Sequence, residues 1–315
     1  MSNTVNPHLA IWGQSGTGKS TLMKKLLIQA ANQGALCLIL DYSSDFQDFT
    51  PPENLPCQHI DVTAPTFKLN PLAGLPGQSP DARAQRLLAS FHSVFQMGPR
   101  ADLALRQITP EYLAENGAPT LDGLLAHIVN VENPGRGLEA AKEPLELLAS
   151  LVHCGKEPIN LDLGTPGLIV LDFSKIYDQS LCRLLVEISL QALWTSHTVN
   201  QPPLILVLDE AQSLAWRQGS MAIRILREGR KFGIAGWFAS QWIDNKNAVA
   251  ALGQASLQAH FCPDGEHLNK LAKSFCSTHP SDLPRYRRLI QGLRCGQFIW
   301  QLPDGRQVVV NVEHD

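Results

Sequence analysis

Eight residues near the start of the chain, Gly13 to Ser20, form the pattern Gly-x-x-x-x-Gly-Lys-Ser. Glycines in such a loop let backbone N–H groups turn inward around a polyphosphate, and a helix that begins behind the loop adds the positive end of its dipole. In this pattern Lys19 is expected to reach the β- and γ-phosphates, and the hydroxyl of Ser20 to ligate Mg²⁺. We therefore predict a site for ATP with Mg²⁺, formed by Gly13, Gln14, Ser15, Gly16, Thr17, Gly18, Lys19, Ser20 and Thr21.

A phosphate loop also needs an acidic residue at the end of a neighbouring strand to hold the magnesium. Two apolar runs end in an aspartate, Asp172 or Asp209, and only Asp209 is followed directly by a second acid, Glu210. Such a pair supplies one carboxylate for magnesium and one that can polarise the attacking water. We assign Asp209 to magnesium and Glu210 to the general base. Asp172 is expected to cap the loop that follows it, and Asp41 could be a loop cap or a residue at the rim of the site.

Further candidates lie around the apolar run 234–240. Gln241 follows this run, at the edge where open α/β sheets bind their ligands, and its amide can contact both the γ-phosphate and the lytic water. Arg227, Arg230 and Lys231 precede the run. They could be a solvated helix end that complements the helix dipole, or they could include an arginine finger that reaches a neighbouring subunit's nucleotide.

Composition limits the class of protein. The chain has 315 residues and a net charge of −3, so it has no overall basic field that would indicate a nucleic-acid binder, although a ring of subunits could present a local basic lining. Its seven cysteines include no C-x-x-C pair, which favours reduced thiols in a cytoplasmic protein. We find no apolar targeting or membrane-spanning segment in the sequence.

Apolar strands alternate with helices in two parts of the chain. The predicted strands are 8–12, 35–40, 59–62, 168–171, 204–208, 234–240, 257–261, 297–302 and 307–312. The predicted helices of these parts are 20–32, 180–195 and 220–232. This alternation predicts an α/β fold with a mostly parallel sheet covered by helices on both faces. Between the two parts, helices at 81–96, 120–131 and 138–152 are predicted with no strand. We therefore predict a core of residues 1–80 and 160–315 with an α-helical insertion at 81–159.

The combination of motifs resembles the HerA/FtsK superfamily of hexameric motor ATPases, and within it the HerA-like and type IV secretion or conjugation ATPases. The resemblance rests on the phosphate loop and on the runs Phe67–Leu72, Val170–Ser174, Asp209–Gln212, Gly229–Gly233, Ser240-Gln241 and Cys295–Trp300. The acidic turn usual after the second strand of these proteins is here Asp41-Tyr-Ser-Ser-Asp45. The resemblance implies a RecA-like P-loop fold, a hexameric ring, Gln241 as the sensor and Arg230 as the inter-subunit finger.

Three functions are compatible with these motifs. The first is an ATP-hydrolysing ring motor that translocates or remodels DNA together with a protein partner such as a nuclease. The second is a nucleotide-dependent switch or assembly ATPase that regulates a partner protein. The third is a secretion or conjugation ATPase that acts on protein substrates. Attack by water fits Asp209, Glu210 and Gln241 better than transfer to a small acceptor does, so kinase chemistry is not expected.

Overall fold

A single sheet of nine strands runs through the part of the chain that this computed structural model describes, residues 6–95, 97–131, 136–241, 243–276 and 280–312. The strands are β1 (Leu9–Trp12), β2 (Leu36–Asp41), β3 (Cys57–Asp61), β4 (Gly167–Asp172), β5 (Leu204–Leu208), β6 (Ile234–Ser240), β7 (Leu257–Phe261), β8 (Gln297–Gln301) and β9 (Gln307–Asn311). Their order in the sheet is β3-β4-β2-β5-β6-β1-β7-β8-β9.

Strands β1 to β7 pair in parallel, and β8 and β9 continue the sheet in antiparallel pairing. The predicted mostly parallel α/β sheet is therefore confirmed. β6 lies between β1 and β5, with Trp12 opposite Ser240 and Leu208 opposite Phe238. Only β6 therefore separates the end of β1, where the phosphate loop begins, from the end of β5, which Asp209 follows.

Helices cover both faces of the sheet. They are α1 (Lys19–Asn32), α2 (Pro80–Val94), α3 (Pro99–Glu115), α4 (Leu121–Val129), α5 (Arg136–Leu151), α6 (Gln179–Ser196), α7 (Met221–Glu228), α8 (Lys246–Leu252), α9 (Gly265–Phe275) and α10 (Leu283–Gln291). In α1, Leu22, Met23 and Leu27 lie on one face at helical spacing and pack against Leu9 and Ile11 of β1. No helix in the described ranges is long and apolar enough to cross a membrane.

Four helices, α2 to α5, lie between β3 and β4, where we predicted three. The additional helix is α3, which carries Pro110 in its interior, and a proline there argues against a helix in the sequence. Gln96, the predicted end of the helix at 81–96, lies outside the described residues. The four helices share one apolar core with α6, to which α2 contributes Leu88 and Phe91. The division of the chain at residues 81 and 159 remains a prediction.

The segment between β7 and β8 folds into α9 and α10, neither of which we predicted. Leu268, Leu271 and Phe275 of α9 form an apolar cluster with Ile290 of α10 and Ile299 of β8. The two helices therefore form a hairpin, which we call the α9–α10 hairpin, and its core packs on β8, which β7 separates from β1. Because β7 ends and β8 begins at the same edge of the sheet, the hairpin starts and finishes at the edge of the phosphate loop.

Candidate nucleotide-binding site

The phosphate loop is held to its neighbours by backbone hydrogen bonds. The N–H of Gly13 donates to the carbonyl of Ser240 at 3.2 Å, and the N–H of Gln14 donates to the carbonyl of Cys262 at 3.1 Å. A Cβ atom on Gly13 would lie 2.5 Å from the Cβ of Phe261, so this position excludes any side chain. The start of the loop is thereby fixed against the strands on both sides of β1.

Two glycines allow the loop to turn into α1. Gly16 has φ 74° and Gly18 has φ 108°, in the left-handed region that favours glycine. Ser15 and Gln14 are exposed, whereas Thr17 and Thr21 are half-buried. The Thr17 hydroxyl donates to the carbonyl of Gln14 at 2.7 Å, which closes the loop on itself.

Lys19 points into this loop. Its Nζ donates to the carbonyl oxygen of Gln14 at 2.9 Å, and its side chain is buried. Burial lowers the pKa of Lys19, and the negative charges of Asp209, Glu210 and Asp45 oppose that shift. The ammonium group therefore lies at the position from which a P-loop lysine contacts phosphates, surrounded by three carboxylates.

Ser20 lies between two of these carboxylates. Its Oγ is 3.0 Å from Oδ2 of Asp45 and 3.4 Å from Oδ2 of Asp209. A hydroxyl has one proton and cannot donate strongly to both oxygens at once. Three hard oxygen atoms close together are the ligand type that Mg²⁺ prefers, so these residues fit the predicted metal, which would be held by Ser20 and Asp209.

Asp45 was not among our predicted site residues. It follows the second strand in the loop that begins at Asp41, whose carboxylate accepts bonds from the N–H groups of Ser43 and Phe46, at 3.2 and 3.0 Å. Asp41 thus acts as a loop cap, and the capped loop brings Asp45 back to Ser20. The acidic residue at this position was visible in the sequence, but its distance from the phosphate loop was not.

Asp172 also forms the contacts of a loop cap. Its Oδ1 accepts from the N–H of Ser174 at 2.9 Å and from the Ser174 hydroxyl at 2.6 Å. Asp172 ends β4, and β2 separates β4 from β5, so Asp172 is two strands further from the phosphate loop than Asp209 is.

Asp209 is buried at the end of β5, and its Oδ1 accepts from the N–H of Glu210 at 3.1 Å. Burial, followed by the charges of Asp45 and Glu210, raises the pKa of Asp209 to about 6. The site therefore holds a buried carboxylate that ionises at a free-energy cost. A bound cation would relieve that cost.

Glu210 is held in position by its backbone and by a side-chain network. It has φ 59°, an uncommon conformation for a residue with a side chain, and strain of this kind is found at functional sites. Its carboxylate accepts a hydrogen bond from the amide of Gln212, whose Oε1 accepts from the Ser240 hydroxyl at 2.7 Å. Burial raises the pKa of Glu210, with Asp45 adding to the shift and Lys19 opposing it. A carboxylate with a raised pKa is a stronger base, so it is better able to accept a proton.

Gln241 follows β6 directly, and β6 separates β1 from β5. Its side chain is exposed and lines a cavity of about 340 Å³ together with Gly13 and His260. The predicted sensor therefore lies beside the start of the phosphate loop. The neighbouring Ser240 connects it to the Glu210 network through Gln212.

Arg230 lies at the other edge of the sheet. It is an exposed residue of the 3₁₀ turn Gly229–Phe232, which precedes β6. Burial lowers the pKa of His8, just before β1, and the charge of Arg230 adds to that shift. β6 has seven residues, so about 20 Å separates this turn from Gln241. Of the residues we predicted, Lys19, Ser20, Asp209, Glu210 and Gln241 are brought together, whereas Arg230 is not part of its own subunit's site.

The end of the chain also contacts the loop, through residues to which we had assigned no role at the site. The N–H of Gly296 donates to the carbonyl of Thr17 at 2.9 Å, and the thiol of Cys295 lies 3.2 Å from the carbonyl of Gly16. The motif Cys295–Trp300 was visible in the sequence only as a closing strand. Its first two residues support the phosphate loop.

We expect Asp209→Asn to stabilise the nucleotide-free protein and to remove its magnesium-dependent activity. The folded pKa of about 6 lies above the ordinary 3.8, so stability is lost as the pH rises through 6. The asparagine should therefore raise the free energy of unfolding by about 3 kcal/mol at pH 7.5 and by only about 1 kcal/mol at pH 4.5. Urea unfolding at the two pH values measures this. A variant less stable than wild type at pH 7.5 would contradict the buried-charge argument.

Comparison with known proteins agrees with this geometry. The family described as "Helicase HerA, central domain" (DUF87) matches residues 1–76. No curated protein sequence matches the chain. VirB4 of Thermoanaerobacter pseudethanolicus is 19% identical, with a TM-score of 0.76 over 100% of this chain and 91% of that chain.

Two structures of a bacterial conjugative coupling protein are also similar. TrwBdeltaN70 in complex with sulphate is 17% identical, with a TM-score of 0.69 over 99% of this chain and 87% of that chain. TrwB in complex with ADP and Mg²⁺ is 16% identical, with a TM-score of 0.66 over 98% and 85%. At these identities the likeness establishes the fold, which is RecA-like as predicted. The resemblance inferred from the motifs is supported by the match of residues 1–76 to the HerA central domain and by the P-loop fold that the chain shares with VirB4 and with the conjugative coupling protein TrwB.

Proposed function

We propose that this chain hydrolyses ATP as a subunit of a homo-oligomeric ring, most simply a hexamer, and that the ring moves or remodels DNA in the cytoplasm with a protein effector such as a nuclease. One observation carries the ring: a complete phosphate-loop site lies at one edge of the sheet, and the candidate finger Arg230 lies exposed at the other edge. Such an arrangement lets one subunit complete the site of the next. The ADP and Mg²⁺ bound to TrwB support ATP and Mg²⁺ as the ligands of this site.

The residues of the site have separate roles in this proposal. Lys19 and the loop N–H groups bind the phosphates, and Ser20 and Asp209 hold the metal. A Mg²⁺ ion held by these two residues would supply positive charge to offset that of the phosphates. Glu210 accepts the proton of the attacking water, and Gln241 orients that water.

Two alternatives keep the same hydrolysis chemistry. The fold shared with VirB4 and TrwB favours a secretion or conjugation ATPase, in which the substrate would be a protein. The net charge of −3 favours a switch that uses hydrolysis to regulate a partner protein. DNA dependence of the hydrolysis rate separates the motor from both alternatives.

We expect Lys19→Ala to abolish ATP binding and Glu210→Gln to retain it. The lysine is the cation that the loop directs at the phosphates, whereas a glutamine at position 210 keeps an oxygen for the Gln212 amide and loses only the base. Hydrolysis by Glu210→Gln should fall by about two orders of magnitude or more. Titration with a fluorescent ATP analogue and a phosphate-release assay measure the two effects separately. A Glu210→Gln protein that hydrolyses ATP at the wild-type rate would remove Glu210 from the mechanism.

We expect Arg230→Ala to bind ATP normally and to hydrolyse it about three to five orders of magnitude more slowly, as for arginine fingers in general. Turnover per wild-type subunit should rise with protein concentration and level off once rings are complete. Arg227→Ala is the matched control, because Arg227 is the exposed arginine of the adjacent helix turn.

Mixing two inactive variants is the sharper test of the same residue. A Lys19→Ala subunit keeps its finger and an Arg230→Ala subunit keeps its phosphate loop, so a mixed ring contains some complete interfaces. Recovered activity would place Arg230 at the neighbour's site. Failure to recover at every mixing ratio, in rings shown to co-assemble, would count against the finger.

We expect DNA to raise the ATPase rate of the assembled protein, and the stimulation to decline steeply as salt rises, because phosphate contacts release counterions. The rate is measured with and without DNA at 50 and 200 mM salt, with the oligomer verified under both conditions. A rate that DNA does not change at low salt would favour the switch.

A further inference from the structure

We propose that the α9–α10 hairpin is the surface by which this protein contacts the phosphate backbone of DNA, without reading its sequence. The inference rests on the proposed function, since it names the surface that would bind the DNA. It depends on the charge of the hairpin, on the exposure and ion pairing of its arginines, and on its hydrogen bonds to the phosphate loop.

The hairpin differs in charge from the rest of the chain. Residues 264–294 carry six lysines and arginines against three acids, in a chain whose net charge is −3. Residues 283–294 alone contain four arginines, Arg285, Arg287, Arg288 and Arg294, and no acid. The chain is acidic overall, but this part of the hairpin is basic. A local cluster of positive charge of this kind is what an anionic partner needs for binding.

These four arginines are exposed, and none forms an ion pair with a described residue. Other exposed arginines do: Arg106 pairs with Asp102 at 2.8 Å, and Arg306 with Asp304 at 2.6 Å. Arg288 donates one long hydrogen bond, from its Nε to the carbonyl of Pro284 at 3.4 Å, but no carboxylate neutralises the charge of any of the four arginines among the described residues. Their positive charges therefore remain available to an external anion. The planar fork of arginine matches the oxygens of a phosphate group.

Helix α10 presents these side chains on a rigid support. Ile290 is buried, and Tyr286 packs on Phe275 of α9 with ring centroids 5.7 Å apart. The Tyr286 hydroxyl donates to Gln307 of β9 at 2.7 Å. With that face turned inward, helical spacing puts Arg285 and Arg288, one turn apart, on the outer face, with Arg287 on the flank.

Both ends of the hairpin are hydrogen-bonded to the phosphate loop. At its start the carbonyl of Cys262 accepts from the N–H of Gln14 at 3.1 Å, and at its end the N–H of Gly296 donates to the carbonyl of Thr17 at 2.9 Å. A force on the hairpin therefore reaches the loop that holds the phosphates. This connection gives DNA bound on α10 a direct route to the hydrolysis site.

DNA fits this surface better than the other anionic partners. A membrane surface calls for apolar side chains beside the cations, and the exposed outer face of α10 offers only Leu289 among its arginines. An acidic protein segment would supply carboxylates without the regular spacing of a phosphate backbone. We therefore commit to DNA and make the other partners outcomes of the test.

The test compares the triple variant Arg285→Gln, Arg287→Gln, Arg288→Gln with a control, Arg100→Gln, Arg106→Gln, Lys156→Gln, which removes three exposed positive charges elsewhere. Binding of a labelled 40-nucleotide DNA, single-stranded and duplex, is followed by fluorescence anisotropy with a non-hydrolysable ATP analogue. We expect the hairpin variant to bind about 10- to 100-fold more weakly at 100 mM salt, with a shallower salt dependence by about two to three counterions. The control should bind like the wild type.

A triple arginine-to-lysine variant at positions 285, 287 and 288 keeps the charge and should retain the salt slope. Unchanged thermal unfolding of all variants excludes a folding defect, and one that unfolds early is replaced by the single substitution Arg288→Gln. DNA binding that the hairpin substitutions leave intact would overturn this inference alone. Wild-type protein that binds no DNA in its assembled form would overturn the DNA part of the proposed function as well. Preferential, hairpin-dependent binding to phosphatidylglycerol vesicles or to polyglutamate would assign the surface to another partner and overturn the inference.

Discussion

Negative charge is concentrated at one point of this structure, where Asp209 is buried beside Glu210 and faces Asp45, with Lys19 as the nearby cation. Burial, to which the repulsion from Asp45 adds, raises the pKa of both Asp209 and Glu210. A fold keeps such an arrangement only where the strands around it are rigid enough to prevent the carboxylates from separating. Here β5 and the first three residues of β1 are buried on either side of β6, and the phosphate loop is hydrogen-bonded to both neighbours of β1. The arrangement is therefore a preorganised receptor for a cation and a polyphosphate.

The sheet also places the candidate sensor Gln241 and the candidate finger Arg230 at opposite edges. A parallel strand has its ends at opposite edges, so β6 carries Gln241 at one end and the turn with Arg230 before the other. That turn is tightly packed: a Cβ on Gly229 would lie 2.7 Å from the carbonyl oxygen of Ile234. The buried ring of His8 accepts the N–H of Gly236 at 2.9 Å and stays neutral, since its pKa is lowered to about 4. The arginine is thus presented outward from a fixed base, which suits contact with a second subunit.

Contiguous motifs were predictable from the sequence, and contacts made by folding were not. The phosphate loop, Asp209 and Glu210 could be identified because their neighbours in the chain supply the strand and helix that position them. Asp45 could not, because its approach to Ser20 depends on the loop that Asp41 caps. Most strands were predicted as continuous apolar runs. Helix α3 was missed because Pro110 interrupts it, and α10 because its inward face includes only one fully buried residue, Ile290. The arginines of α10 were therefore not recognised as one surface.

The phosphate loop is the point at which these separate parts of the chain meet. It forms backbone hydrogen bonds with the end of β6 at Ser240, with the start of the α9–α10 hairpin at Cys262, and with the end of the hairpin at Gly296. Each bond joins a rigid element to a loop whose glycines have the largest conformational freedom in the site. If the loop changes conformation when a γ-phosphate binds or leaves, these bonds transmit the change to Gln241 and to both ends of the hairpin. Conversely, an external load on the hairpin acts on two points of the loop, on either side of Ser15. This geometry is what coupling between hydrolysis and a bound polymer requires, because both processes then bias the same element.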